Sequence, residues 1–284
     1  MNLKVQVFFP ASRFDSTLLQ KGSDKARGLD LDFICPPLPT PNWFQCATLK
    51  DRLDSIRRAL AGPAEILWAS RGGYGTAEWL SELPEDMELW REKRVVGFSD
   101  LTALHAWTSN RNLPSYHAPM VATRGWAEAS EKELQSWRKA VLEKTPETLP
   151  FSDGERGPLK SGRLIGGNLT VLASLMGSPH QLEFRAGDLL FLEDIQEPPY
   201  RLARSLFQLS HSPNFRAIQI IWGQLTDCGE EPEKRLISHL MKPYDNPWAM
   251  GLEVGHGRPN YSIRLGVHAQ ITEGMLEFPS IAIP

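Results

Sequence analysis

The chain has little cysteine: Cys35, Cys46 and Cys228 are odd in number and far apart. That spacing offers neither a disulfide framework nor a metal-ligand cluster, and it fits a reducing, cytoplasmic setting. No apolar run reaches the roughly 18 residues that a membrane span needs. The opening run Val5 to Phe9 is too short for a signal-peptide core and lacks a clear cleavage site, so it reads as a first strand. A large excess of charge of either sign is also missing. The net charge is -3 with a pI near 6.2, which argues against nucleic-acid binding driven by bulk charge. There is no H-E-x-x-H, no Cys/His cluster, no internal repeat and no low-complexity tract, and the seven histidines are dispersed.

What is present is the composition of a globular protein: 284 residues, 41% hydrophobic and 23% charged, enough for one large domain or two ordinary ones. Leu3 to Phe9 reads as a strand ending at Pro10. Residues 23–43 are polar and then proline-rich, predicting a loop around a short strand at Leu29 to Cys35. Leu49, Leu53, Ile56 and Leu60 keep helical spacing, and Gly62-Pro63 supplies the stop. Strand, glycine turn and helix then recur twice, at Glu65 to Leu83 and at Val95 to Trp107. Two such units in series predict an α/β fold: an amino-terminal open, mostly parallel sheet with flanking helices. Ser130 and Glu133 form a capping box before Leu134, Trp137 and Val141. Residues 146–160, rich in proline, glycine and acid, read as a linker. The second half predicts a smaller α+β, β-rich carboxy-terminal domain, giving domains at 1–145 and 161–284.

Three stretches place reactive groups beside glycine, where a backbone can approach a ligand closely. In Gly97-Phe98-Ser99-Asp100, Ser99 stands at a strand-to-helix corner beside the positive end of a helix dipole. A nucleophile fits there, but Leu101 replaces the second glycine of the G-x-S-x-G elbow, so this stretch alone favours a helix cap by Ser99 or Asp100. In Arg71-Gly72-Gly73-Tyr74-Gly75, consecutive glycines could offer N–H groups to an oxyanion or carboxylate, although the spacing is neither a P-loop nor G-x-G-x-x-G. In Gly255-His256-Gly257, a histidine on an expected exposed loop suits general-base work, whereas His105 and His239 fall on helices and suit the core. A serine and a histidine need a third group to orient the imidazole. Glu193, Asp194 and Glu197 follow an apolar strand and all remain candidates.

Together these stretches resemble one family, the LD-carboxypeptidases, a serine-peptidase family that includes muramoyltetrapeptide carboxypeptidases and microcin C self-immunity peptidases. Also matching are His117-Ala118-Pro119-Met120, Gly166-Gly167-Asn168-Leu169 and Leu192-Glu193-Asp194 through Pro199-Tyr200-Arg201, all in family order. The resemblance departs at Ala118, where glycine is expected, and at Arg264, where proline is commoner; residues 13–47 do not align. It implies a triad of Ser99 as nucleophile, His256 as base and Glu193 as acid. Acyl transfer by that triad would place an oxyanion hole at the backbones of Asp100 and Gly72 or Gly73. A carboxypeptidase must also hold a free carboxylate; Arg71 and Arg124 are candidates for that on position alone and equally readable as surface residues, with Tyr74 and Asn168 as further substrate-binding candidates. No metal or organic cofactor is implied. The implied substrate is a peptidoglycan tetrapeptide or muropeptide ending in D-alanine, the implied assembly a homodimer. The alternatives are cleavage of a peptidyl-nucleotide conjugate, as in toxin immunity, and silent muropeptide binding.

Overall fold

The computed structural model describes residues 3–278 apart from 30, 144, 146 and 155. Its first sheet contains β1 (Lys4–Phe8), β2 (Asp32–Ile34), β3 (Ile66–Ala69), β4 (Arg94–Gly97) and β5 (Ser115–His117). The second is built from β6 (Glu147–Pro150), β7 (Ser152–Asp153), β8 (Gly162–Asn168), β9 (Leu189–Ile195), β10 (Gln219–Thr226) and β11 (Trp248–Met250). The chain then crosses back to the first sheet as β12 (Ile263–Leu265) before returning as β13 (Val267–Thr272) and β14 (Met275–Phe278).

The first sheet runs β12-β5-β4-β3-β1-β2, with β12 antiparallel to β5 and the other pairs parallel. In the second, order β6-β14-β13-β8-β9-β10-β11-β7, the four central strands are parallel and the flanks antiparallel. β3 and the first four residues of β9 read as continuous apolar runs because both faces are buried: Leu190 and Leu192 of β9 join the core that the helices share, while Leu189 and Phe191 join Leu252, Val254 and Ile263 on the other side. The carboxyl ends of β4 and β9 are where the serine and the acid lie.

The expected elements are present with shifted ends, and four differences have physical causes. Helix Ser16–Arg27 begins in a stretch given no assignment and runs into the start of the region 23–43 read as polar loop; its buried face is Leu19, Gly22, Ser23 and Ala26, too small to register as an apolar stripe. The glycine turn after β3 leads into a 3-10 turn, Thr76–Glu82, rather than an α-helix. Segment 146–160, read as linker, donates β6 and β7 to the second sheet; residues 146 and 155 lie outside the described residues. His239 ends its helix on the exposed side, whereas His105 is fully buried as expected.

One hydrophobic core runs through both domains. Leu101, Leu104 and Trp107, from the helix after Ser99, pack with Ile165, Leu169, Leu190 and Trp222 of the second domain. A shared core of this kind resists relative motion of the two halves. Among the described residues, no helix is long and apolar enough to cross a membrane.

Candidate active site

Val95 and Val96 pair with β3 and β5, and the strand stops at Gly97. Gly97 O accepts from Ala118 N and bonds His105 Nε2 at 2.9 Å, so Nε2 carries the hydrogen and the other ring nitrogen meets Ser115 Oγ. Burial, with His117 nearby, pushes the His105 pKa down to about 3, so it stays a neutral strut beneath the corner.

Two residues beyond Gly97, Ser99 has φ of +61°, left-handed backbone that a non-glycine residue adopts at a cost of about 1–3 kcal/mol. It is half-buried and opens the 3-10 turn Ser99–Leu101, ahead of helix Thr102–Asn110. Neither Ser99 nor Asp100 caps that helix by its side chain. Instead Thr76 N donates to Asp100 Oδ2 at 2.9 Å, so Asp100 caps the neighbouring turn and ties it to the serine corner. Burial raises the Asp100 pKa, partly opposed by hydrogen bonds from Thr76.

Gly72 faces the serine directly. A Cβ placed on it would stand 3.1 Å from Ser99 Cβ and 3.2 Å from both Ser99 Oγ and Asp100 N. The space beside the hydroxyl and the next N–H therefore stays open because residue 72 has no side chain. Ser12 N donates to Gly72 O and Tyr74 N to Ser12 Oγ, each at 3.1 Å. The buried guanidinium of Arg52 donates to Gly75 O at 2.8 Å and pairs with Glu78. The glycine turn is thus held rigidly from behind.

On the second domain, Glu193 is wholly buried and His256 Nδ1 donates to its Oε2 at 2.6 Å. Burial would raise the Glu193 pKa, but His256 and His117 outweigh it and lower it to about 2. For His256, burial disfavours the charged ring, but Glu193 outweighs it and the pKa rises. An ionised carboxylate only accepts, so the hydrogen sits on Nδ1 and Nε2 of the neutral ring is left with a lone pair. The other two acids are engaged elsewhere. Asp194 accepts from Asn168 and Thr170, and Glu197 pairs with Arg201 at 3.6 Å.

The two halves meet at Phe98, whose ring centroid lies 4.7 Å from that of His256. The Ser99 hydroxyl itself has no hydrogen-bond partner among the described residues. Beside His256 a cavity of about 290 Å³ is lined by Phe98, Pro119, Arg124 and Arg258. Larger clefts beside His211 and beside His239 are lined by none of Ser99, Glu193 and His256.

The remaining candidates separate. Arg124 lines that cavity with an exposed side chain, 3.7 Å from Glu128. Arg71 donates to Arg13 O, and Tyr74 is exposed against Phe44. Asn168 is buried with both side-chain polar atoms engaged: its Oδ1 caps helix Leu169–Ser174 and its Nδ2 donates to Asp194.

Sequence reasoning missed the residues that hold the His256 loop, which is half-buried rather than exposed. Gly257 N donates to Gln224 Oε1, Gly255 N to Asn260 Oδ1, and Asn260 N to Glu133 Oε1. Only Glu133 carried a local signal, its capping box with Ser130, which the structure contains.

Comparison with known proteins agrees along the chain. Residues 5–118 match the LD-carboxypeptidase N-terminal domain and residues 161–271 the LD-carboxypeptidase C-terminal domain. A murein tetrapeptide carboxypeptidase of Pseudomonas aeruginosa is 32% identical over 237 residues, 76% of each chain. The fold matches a muramoyltetrapeptide carboxypeptidase of Oxalobacter formigenes with a TM-score of 0.85 at 23% identity, covering 97% of this chain and 98% of that one. It also matches a microcin self-immunity protein in complex with aspartyl sulfamoyl adenosine, TM-score 0.85 at 20% identity, covering 100% and 98%.

Proposed function

The chain belongs to the LD-carboxypeptidase family, and from that premise we propose that it is a serine peptidase releasing terminal D-alanine from murein tetrapeptides. The observation that carries the reading is the 2.6 Å bond from His256 to a buried, ionised Glu193, its ring against the residue before Ser99.

Ser99 attacks the scissile carbonyl while His256 Nε2 takes its proton, and Glu193 stabilises the resulting imidazolium. The oxyanion forms in the space that Gly72 leaves open, held by Asp100 N–H and one N–H of Gly72 or Gly73. His256 then returns the proton to the leaving amine, and water repeats the sequence on the acyl-enzyme. The substrate's free carboxylate suits a guanidinium fork, and Arg124, exposed in the cavity beside His256, is the candidate.

The test is incubation with a tetrapeptide ending in D-alanine, with free D-alanine followed by mass spectrometry. Release is expected from the wild type, and Ser99→Ala should lower the rate by about 10⁴-fold or more. Release that survives Ser99→Ala removes the nucleophile assignment. A parallel incubation with a peptidyl-nucleotide conjugate decides between wall peptide and toxin as substrate. Turnover of neither, with tight muropeptide binding, would mark a silent binder.

A further inference from the structure

We propose that His117 is a positioning residue that holds the second oxygen of the Glu193 carboxylate. The proposal rests on the triad reading above and adds a member that touches neither substrate nor nucleophile.

Glu193 has two oxygens and only one is used. Oε2 binds His256, while Oε1, with no exposed surface, has no hydrogen-bond partner among the described residues. His117 is equally buried, and neither of its ring nitrogens has a hydrogen-bond partner among the described residues. These two unpaired groups face each other, His117 Nε2 lying 3.8 Å from Glu193 Oε1. Closing that gap by about 1 Å makes an ordinary hydrogen bond.

The surroundings permit that approach and little else. Phe98 and Phe191 meet the His117 ring in T-shaped contacts at 5.5 and 5.1 Å, which fix its plane. Its backbone is locked opposite Gly97 of β4 and Ile263 of β12. The titratable groups around it are Glu193 from β9, His105 from helix Thr102–Asn110, and His256 across the carboxylate. A neutral ring with its hydrogen on Nε2 satisfies Glu193 and leaves only the Nδ1 lone pair unused, which costs less than a buried unpaired N–H.

This bond would do two things. It would stop the carboxylate rotating away when His256 becomes charged. It would also draw carboxylate charge toward Oε1, keeping His256 from becoming too basic to return its proton to the leaving group.

The experiment compares His117→Phe, which keeps ring volume without an N–H, with His117→Gln, whose amide nitrogen falls near Nε2. His117→Asn is the third arm, polar but too short to reach Oε1. His256 is titrated by histidine NMR, which requires no substrate, and kcat and KM are measured on whichever substrate the wild type turns over. Phe and Asn are expected to raise the His256 midpoint by about half a pH unit or more and to lower kcat about tenfold, with KM within about twofold. Gln should recover most of both. An unchanged His256 midpoint in folded Phe or Asn variants, or a Gln variant no better than Asn, overturns the proposal. If the midpoint shifts as expected but no substrate is cleaved, the substrate reading fails and the positioning role stands.

Discussion

The two halves of the site are made of different materials. The serine half, on the first domain, is backbone: a left-handed φ at Ser99, a missing side chain at Gly72, and the Asp100 nitrogen beside the space that this absence leaves. The histidine half, mostly on the second domain, is side chains: buried Glu193 and Asn260, half-buried Gln224, and buried His117 reaching in from β5 of the first domain, most of them useful only through a partner distant in sequence. Backbone shape tolerates no bulk but is indifferent to charge. A buried polar network is the reverse, tolerant of small shifts and intolerant of a lost partner.

The largest expected effect falls on the side-chain half. Glu193→Gln replaces an acceptor pair by an amide and leaves the His256 tautomer unspecified, so kcat should fall about 10⁴-fold with the fold retained. Glu197→Gln, on an acid paired with Arg201, should change kcat less than about threefold. Steady-state kinetics on the two proteins checks this, and a reversed order would move the acid to Glu197. On the backbone half, Gly72→Ala should cost about 10²- to 10³-fold in kcat, near 3 kcal/mol, because the Cβ enters the oxyanion space. Thermal unfolding should move little, since residue 72 is not in the left-handed region. A Gly72→Ala enzyme of normal kcat would show that the glycine turn is only a turn.

The pH dependence reads the side-chain half alone. In the proposed mechanism His256 must be neutral to accept the serine proton, and Glu193 raises its pKa above the ordinary value of 6.5. Activity measured as kcat/KM should therefore rise tenfold per unit below that pKa and level off above it, with a midpoint above 6.5. The stabilisation that the charged ring draws from Glu193 runs oppositely: full below 6.5, and lost as pH climbs through the raised value. Catalysis switches on where that stabilisation lapses. Glu193→Gln should lower the midpoint, to below 6.5 where burial of the ring is no longer outweighed, whereas Gly72→Ala should leave it in place.

The same division decides what the sequence could disclose. Backbone devices leave local marks: a β-branched pair before Gly97, consecutive glycines at 72 and 73, a Ser130–Glu133 capping box three residues apart. These are nearest-neighbour physics and were legible. The proposed roles of Ser99, His256 and Glu193 came from resemblance, since Glu193, Asp194 and Glu197 look alike until Asn168 and Thr170 are seen to occupy Asp194. Asp100 was recognisable as a capping residue, but its partner Thr76 lies 24 residues away, so the wrong helix was assigned to it. Helix Ser16–Arg27 went unseen because it packs by closeness: a Cβ on Gly22 would lie 1.9 Å from Val121 O, a fit that hydrophobic periodicity does not record. β12 reads as a strand, but nothing local says that it pairs with β5 of the other sheet.

A smaller effect than at Glu193 or Gly72 should come from the residue that holds the His256 loop without touching the ring. Gln224 accepts from Gly257 N at 3.0 Å and donates to Pro259 O at 3.0 Å, so its amide bridges the loop on the far side of His256. Gln224→Ala removes both bonds and leaves two backbone groups to find water, a loss of about 1–2 kcal/mol in stability. The His256–Glu193 bond is independent of Gln224, so the pH midpoint should not move. The loop should instead sample orientations that carry Nε2 away from Ser99, lowering kcat a few-fold. Gln224→Glu keeps the acceptor for Gly257 but loses the donor to Pro259 and adds a negative charge near His256. It should raise the midpoint while recovering part of the stability. If both variants shift the midpoint alike, the loop bridge and the acid–base pair are one network, and the side-chain half is more tightly coupled than its separate hydrogen bonds imply.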